Sequence, residues 1–173
     1  NLGGLLYAQL RGSPCEAFTK DTKVRCGPYR AHTREGLYAY PDLVVVCGAM
    51  QFHGQAQDVL VNPTAIVEVL SPSTEAFDRG EKFRRYRAWL PTLTDYVLVA
   101  QDRPVIDHYH REDDALWTLR TLEGLDAHLH LPSINCAVLA EPPKVVKGCV
   151  EAPDKPGIGL AWNDEAVKRY RVV

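Results

Sequence analysis

No stretch of this chain approaches the unbroken apolar run of about 20 residues needed to cross a membrane, and the N-terminus lacks a basic segment followed by an apolar one. No membrane contact and a cytoplasmic location are therefore expected. An excess of one charge is missing as well. Lys and Arg number 20 against 22 Asp and Glu, a net charge of −2, which excludes a protein that coats nucleic acid by bulk electrostatics and leaves only local contacts to DNA. The five cysteines, Cys15, Cys26, Cys47, Cys136 and Cys149, are odd in number and form no CxxC. Neither a disulfide framework nor a zinc knuckle is indicated, and reduced thiols are expected. Ser71 and Ser73 have no glycine elbow around them, so serine-hydrolase chemistry has no support. Position 1 is not methionine, and the natural N-terminus is expected to extend beyond Asn1.

What is present is a chain of 173 residues with 46% hydrophobic and 24% charged residues, enough for one folded domain and an appendage. Leu2, Leu5, Leu6 and Leu10 share one side of a helix from Asn1 to Arg11, ended by Gly12-Ser13-Pro14. Two short strands, Cys15 to Phe18 and Thr22 to Cys26, precede a polar, basic loop from Gly27 to Gly36. A strand from about Tyr38 to Cys47, a loop from Gly48 to Asp58 and a strand over Ala65 to Leu70 follow, the last stopped by Ser71-Pro72. A helix capped by Thr74 or Asp78 then runs to Leu90, with Phe83, Tyr86 and Leu90 at helical spacing and Pro91 beyond it. Asp95 to Ala100 and Val105 to His110 read as an antiparallel hairpin, and Leu116 to Leu122 and Ala127 to Leu131 as two edge strands. After Leu139, turn-forming residues crowd together and only Asp164 to Tyr170 has a helical pattern, which predicts a boundary near residue 140.

Two of the aliphatic strands carry one acid each. Glu68 lies inside Ala65-Ile66-Val67-Glu68-Val69-Leu70, and Asp42 opens Leu43-Val44-Val45-Val46. A bare carboxylate buried in such a run costs several kcal/mol or more, so it must be paired, protonated or bound to a metal. On the helix that follows, Asp78, Lys82, Tyr86 and Trp89 fall on one side, with Tyr86 and Trp89 expected to face the core. Lys82 then starts at the edge of the packed face and can reach the two acids. Two carboxylates can hold Mg²⁺ through hard oxygen ligands. A cation and a nearby ammonium can activate water and stabilise the charge that builds on a phosphodiester under attack.

The order Pro41-Asp42, then about twenty-five residues later Glu68-x-x, resembles the PD-(D/E)XK nuclease signature. The longer run Glu68-Val69-Leu70-Ser71-Pro72-Ser73-Thr74, Asp78-Arg79-Gly80-Glu81-Lys82, Tyr86 and Tyr96-Val97-Leu98-Val99 is similar to the Uma2 family over roughly Asn1 to Leu139. That resemblance implies a restriction-endonuclease-like α/β fold, a mixed sheet flanked by helices, with Mg²⁺- or Mn²⁺-dependent cleavage of DNA and frequent homodimers. It makes Asp42 and Glu68 the metal-binding acids and, with Lys82, the catalytic set; Asp78 and Tyr86 are supporting residues. The lysine position of the signature holds Leu70, and Lys82 matches a lysine that the family carries on the adjacent helix. The resemblance also implies a further acid before the first helix, in the region ahead of Asn1. The tail, from Pro153-Asp154-Lys155-Pro156-Gly157 through Asp164 to Tyr170, is similar to the closing segment of enolase-superfamily enzymes of the mandelate racemase type. An irregular segment, 140–173, fused to the domain from an unrelated reading frame is expected, with no catalytic residue in it. An enolase-type activity would need a barrel of about 250 residues, which the chain cannot supply.

Simpler roles compete for each residue. Asp42 can cap a strand after Pro41, Glu68 and Lys82 can form a purely structural ion pair, and Lys82 can sit solvated among Arg79, Glu81, Arg84, Arg85 and Arg87. Asp78 reads as a cap or a partner of Lys82, and Tyr86 as core with its hydroxyl near the site. The alternating pairs His108/His110 and His128/His130 can bind metal but read as surface positions on strands. The competing function is a catalytically inactive nuclease fold that binds nucleic acid or a protein, favoured by Leu70 in the lysine position.

Overall fold

The aliphatic runs around the two acids become the centre of one six-stranded sheet. The computed structural model describes residues 2–27, 36–55, 57–124 and 127–139, together with the backbone of two short segments, 145–146 and 149–150. Within the larger of two units, Leu2–Pro142, the elements in order are α1 (Leu2–Leu10), β1 (Cys15–Thr19), β2 (Lys23–Cys26), β3 (Leu37–Ala39), β4 (Leu43–Cys47), β5 (Val59–Leu60) and β6 (Ala65–Val69). A helical stretch follows: α2 (Glu75–Phe77), a π-helical turn (Asp78–Lys82) and α3 (Phe83–Trp89). The chain continues through β7 (Asp95–Val99), β8 (Val105–Arg111), β9 (Trp117–Glu123), β10 (His128–Leu131) and β11 (Cys136–Leu139). The remaining unit contributes the antiparallel pairing of Val145–Val146 with Cys149–Val150. The predicted tail helix and the loop residues 28–35 lie outside the described residues.

The large sheet runs β1-β4-β6-β7-β8-β9. Its central pair, β6 and β7, is parallel, with Ala65 opposite Asp95 and Val69 opposite Val99; the other pairs are antiparallel. A parallel pair needs a crossover, and the helical stretch between Ser71 and Leu90 supplies it. The buried Val and Ile of β4, β6 and β7 pack well on a pleated surface covered on both sides.

Each face has its own core. On one, Leu6 and Leu10 of α1 join Leu43, Val45, Val67, Val97 and Ile106, and Leu129 and Leu131 of β10 close over them. Gln9 ties α1 to β11 by two 2.8 Å hydrogen bonds, donating to the Ala137 carbonyl and accepting from the Ala137 N–H. On the opposite face, Val44, Ile66, Tyr96 and Leu98 lie under Tyr86, Leu90 and the small sheet β3-β2-β5. Phe83 anchors α3 there, its ring centre 4.2 Å from Tyr109, 5.2 Å from Trp117 and 5.4 Å from Tyr96.

Several expectations change. The single strand predicted from Tyr38 to Cys47 is two, split at Tyr40-Pro41-Asp42 and belonging to different sheets; Pro41 has no N–H to continue a ladder. Val59–Leu60, next to the predicted loop, pairs with β2. His128–Leu131 is a strand, but it pairs with β11 and not with the main sheet. Trp89 does not face the core: it is 40% exposed, and Leu90 is buried instead. The wider π-helical turn keeps a spacing of four aligned, so the buried stripe runs Asp78, Lys82, Tyr86, Leu90.

The expectation of reduced thiols is overturned at two positions. Cys15 and Cys47 form a disulfide, because the antiparallel register of β1 and β4 sets them opposite each other; residue spacing alone holds no record of that register. Cys26 and Cys136 are free and buried. The bridge closes a loop of 32 residues in sequence, so reducing it, or Cys15→Ser, should lower the unfolding free energy by about 2–4 kcal/mol. Chemical denaturation with and without reductant, with peptide mapping of alkylated Cys15 and Cys47, measures this. An unchanged midpoint with both thiols labelled in the untreated protein contradicts the bridge.

Candidate functional site

Glu68 follows the alternation of β6, so it shares the helix-covered face with Ile66 and stands one residue beyond the Leu43–Val67 pair. Asp42 occupies the matching position beyond Leu43 on β4. Its Oδ2 accepts a 2.8 Å hydrogen bond from the Val69 N–H, so it caps the end of β6 and is fixed beside Glu68 at the same time. Leu70 lies buried in the helix-side core. A lysine there would have to give up that packing.

The cation comes from the helix. Lys82 is 8% exposed, and its Nζ lies 2.7 Å from Glu68 Oε1 and donates to Asp78 Oδ1 at 2.9 Å. Asp78 is thus a partner of Lys82 and not a helix cap. The contact to Glu68 is a close ion pair without the direction of a hydrogen bond, which leaves the buried Oε1 without a directed donor among the described residues. The Tyr96 hydroxyl donates to the Asp78 carbonyl at 3.0 Å and holds the π-helical turn on the sheet. Tyr86 is fully buried, and its hydroxyl hydrogen-bonds to none of the described residues.

These groups do not share water, and their acidities reflect it. Burial pushes the Glu68 carboxyl up to about 7; Lys82 pulls the other way, and the charges of Asp78 and Asp42 add to the rise. For Lys82, burial disfavours the ammonium, but Glu68 and Asp78 outweigh it and raise its pKa above the ordinary lysine value. Burial raises the Tyr86 phenol well above its usual range, with the Glu68 charge assisting. Two carboxylates meet one ammonium here, and a third, Asp42, stands beside Glu68. A cluster with that surplus suits a divalent cation with hard oxygen ligands, although Glu68 Oε1 is already ion-paired with Lys82.

The Uma2 family, described as "Putative restriction endonuclease", matches residues 1–138. The chain belongs to the Uma2 family. Two Synechocystis proteins are similar to it: uncharacterized protein slr1290, 38% identical over 78% of this chain and 65% of its own length, and uncharacterized protein sll1609, 32% identical over 75% and 69%. The chain therefore spans about two thirds of these curated relatives. A crystal structure of a "putative nuclease belonging to DUF820" from Anabaena variabilis aligns with a TM-score of 0.60 over 80% of this chain and 73% of that one, at 14% identity, and shares its mixed α/β fold. The Uma2 match stops at residue 138, and nothing supports the likeness of the tail to enolase-superfamily enzymes.

The structure also contains groups that sequence reasoning passed over or misread. His108 is not a surface residue but is 4% exposed. Its Nε2 and Nδ1 of His110 each lie 2.7 Å from the same oxygen of Asp95, and the Ser133 hydroxyl donates to the other Asp95 oxygen. Burial opposes the Asp95 charge, yet the bonds from His108, Ser133 and His110 hold its pKa below the ordinary aspartate value. The register of β7 and β8 creates this cluster, and the only signal in the sequence was the alternation of His108 and His110. By contrast, His128 and His130 are exposed on β10, as expected.

The shift at Glu68 has a defined effect on stability. A carboxyl with a folded-state value of about 7, above the ordinary 4.5, binds its proton more tightly when folded. Charging it therefore costs stability as pH rises through that window. Glu68→Gln should raise stability at pH 8 by about 1–3 kcal/mol, with the gain vanishing toward pH 5. Lys82→Met should do the reverse, losing about 3–5 kcal/mol at pH 8 because two buried acids lose their cation, and recovering as pH falls and Glu68 protonates. Thermal unfolding of both variants across pH 5 to 8 checks these opposite slopes.

Proposed function

We propose that this Uma2 protein is a metal-dependent endonuclease that hydrolyses phosphodiester bonds in DNA, with Asp42 and Glu68 holding Mg²⁺ or Mn²⁺ and Lys82 serving the reacting phosphate. The observation that carries this reading is the placement of the Lys82 ammonium 2.7 Å from Glu68, supplied from the helix when β6 offers only Leu70. The cation, when bound, would supply Lewis-acid polarisation of the phosphate and a more acidic water. The rest belongs to the side chains. Asp42 and Glu68 bring negative oxygens together at a fixed separation, because one is tied to the backbone of the other's strand. Asp78 keeps the ammonium charged and aimed at the sheet, where it can offset charge building on a phosphate oxygen. Tyr86 and Leu70 keep water from the inner side of the site.

The substrate would be met on an open surface. A cleft of about 140 Å³ near the carboxyl ends of β6 and β7, lined by Leu70, Ser71, Glu75 and Arg103 among others, is too small to enclose a nucleotide. A local contact is available beside β2: the Lys23 ammonium lies 5.6 Å from the Tyr40 ring centre. Tyr40 is more than half exposed, and such a cation–aromatic pair suits phosphates and unstacked bases. A homodimer, the expected working form, would present two sites to the two strands of a duplex.

One observation favours a second reading, a nucleic-acid or protein binding module without catalysis: Lys82 is already shared by two acids and Leu70 replaces the signature lysine. Cleavage of supercoiled plasmid with Mg²⁺ or Mn²⁺ separates the two. Asp42→Asn and Glu68→Gln should each lower the rate by about 100-fold or more, and Lys82→Met by a similar factor. Metal-dependent cleavage that survives Asp42→Asn unchanged sinks the mechanism. DNA retention without cleavage by any variant or the parent supports the binding module.

A further inference from the structure

We propose a second metal site on the opposite face of the sheet, where Asp95, His108 and His110 bind a transition-metal ion of the Zn²⁺ class. Three ligand atoms, one from each residue, lie within 4.8 Å of one another. They are brought together by the β7–β8 ladder, in which Asp95 is opposite His110 and Val97 is opposite His108. All three side chains leave the sheet on the side of α1, with Val97 and Ile106, whereas Glu68 leaves on the side of α3. The proposal does not rest on the nuclease reading.

The donor set decides the metal. Two imidazole nitrogens and one carboxylate oxygen suit Zn²⁺, Co²⁺ or Ni²⁺ far better than Mg²⁺, which prefers oxygen alone. Such a three-ligand set leaves a fourth position for water or a ligand. The present contacts are those of a metal-free arrangement: both rings point a nitrogen at one oxygen, each at 2.7 Å. Around a tetrahedral ion the same atoms would stand roughly 3.3 Å apart. Each nitrogen–oxygen pair would open by about half an ångström, and a ring nitrogen that ligates the ion gives up any proton it carries. The Ser133 hydroxyl, on the turn between β10 and β11, already orients the second oxygen of Asp95, the kind of support that metal-ligating carboxylates receive. Asp95 and His108 are buried, but the His110 side chain is 24% exposed and gives an ion its way in.

Titration of the metal-free protein with Zn²⁺ by calorimetry, and with Co²⁺ by visible absorption, tests this. With Mg²⁺ in excess to hold the acid pair, one equivalent should bind, with the d–d bands of a low-symmetry Co²⁺ site. His110→Ala and His108→Asn should each weaken binding by at least about tenfold. His110 is the more exposed of the two, so its variant keeps the test usable if His108→Asn fails to fold. Asp42→Asn, on the other face, should bind Zn²⁺ like the parent. Absence of binding by the parent overturns the site. So does Zn²⁺ binding that survives His110→Ala, which would place the ion on other histidines, or binding that is lost in Asp42→Asn, which would place it at the acid pair.

Discussion

The Lys82 ammonium between Glu68 and Asp78 is the contact on which the helix-covered face depends. Each of these ions would cost several kcal/mol if buried alone, and one cation cannot satisfy Glu68, Asp78 and Asp42 together. The result is a paired but still electron-rich site. Burial, with the charges of Asp78 and Asp42 adding to it, holds the Glu68 pKa above the ordinary glutamate value, and a proton or a further positive charge relieves it.

The fold produces this arrangement by a chain of local causes. The parallel pair β6–β7 demands a crossover, and the crossover lays a helix over the face that Glu68 occupies. A π-helical turn within it aligns residues four apart, so Asp78, Lys82, Tyr86 and Leu90 all point inward. Tyr96 holds that turn from below through the Asp78 carbonyl, and Phe83 holds the next one through its aromatic neighbours. The disulfide between β1 and β4 fastens the far end of the strand that follows Asp42.

One sheet therefore has two chemically different faces. The α3 side gathers carboxylates and a lysine, a hard, oxygen-rich set; the α1 side gathers two imidazoles and a carboxylate. Alternation along β6, β7 and β8 separates them, since neighbouring residues on a strand cannot serve the same face. Membership of the Uma2 family accounts for the fold, and the first face follows from the helix laid over β6. The second follows from the register in this chain.

By itself the sequence determined a good deal: the α1 helix, the aliphatic strands, the acid in each of two of them, and the helix that follows Ser71-Pro72. These were legible because periodicity, proline and a lone carboxylate in an apolar run act over a few residues. What only the tertiary structure decided lies between segments. Cys15 meets Cys47, His108 meets Asp95, and Lys82 reaches Glu68 because of strand register and helix placement, and contacts across 32, 13 and 14 residues leave no periodic trace. Trp89 was expected on the core face with Tyr86, yet it is exposed, and of the two only Leu90, at helical spacing with Tyr86, is buried. A carboxylate's need for a partner can be read from its neighbours in sequence, whereas the partner's identity depends on which distant group the packing brings within reach.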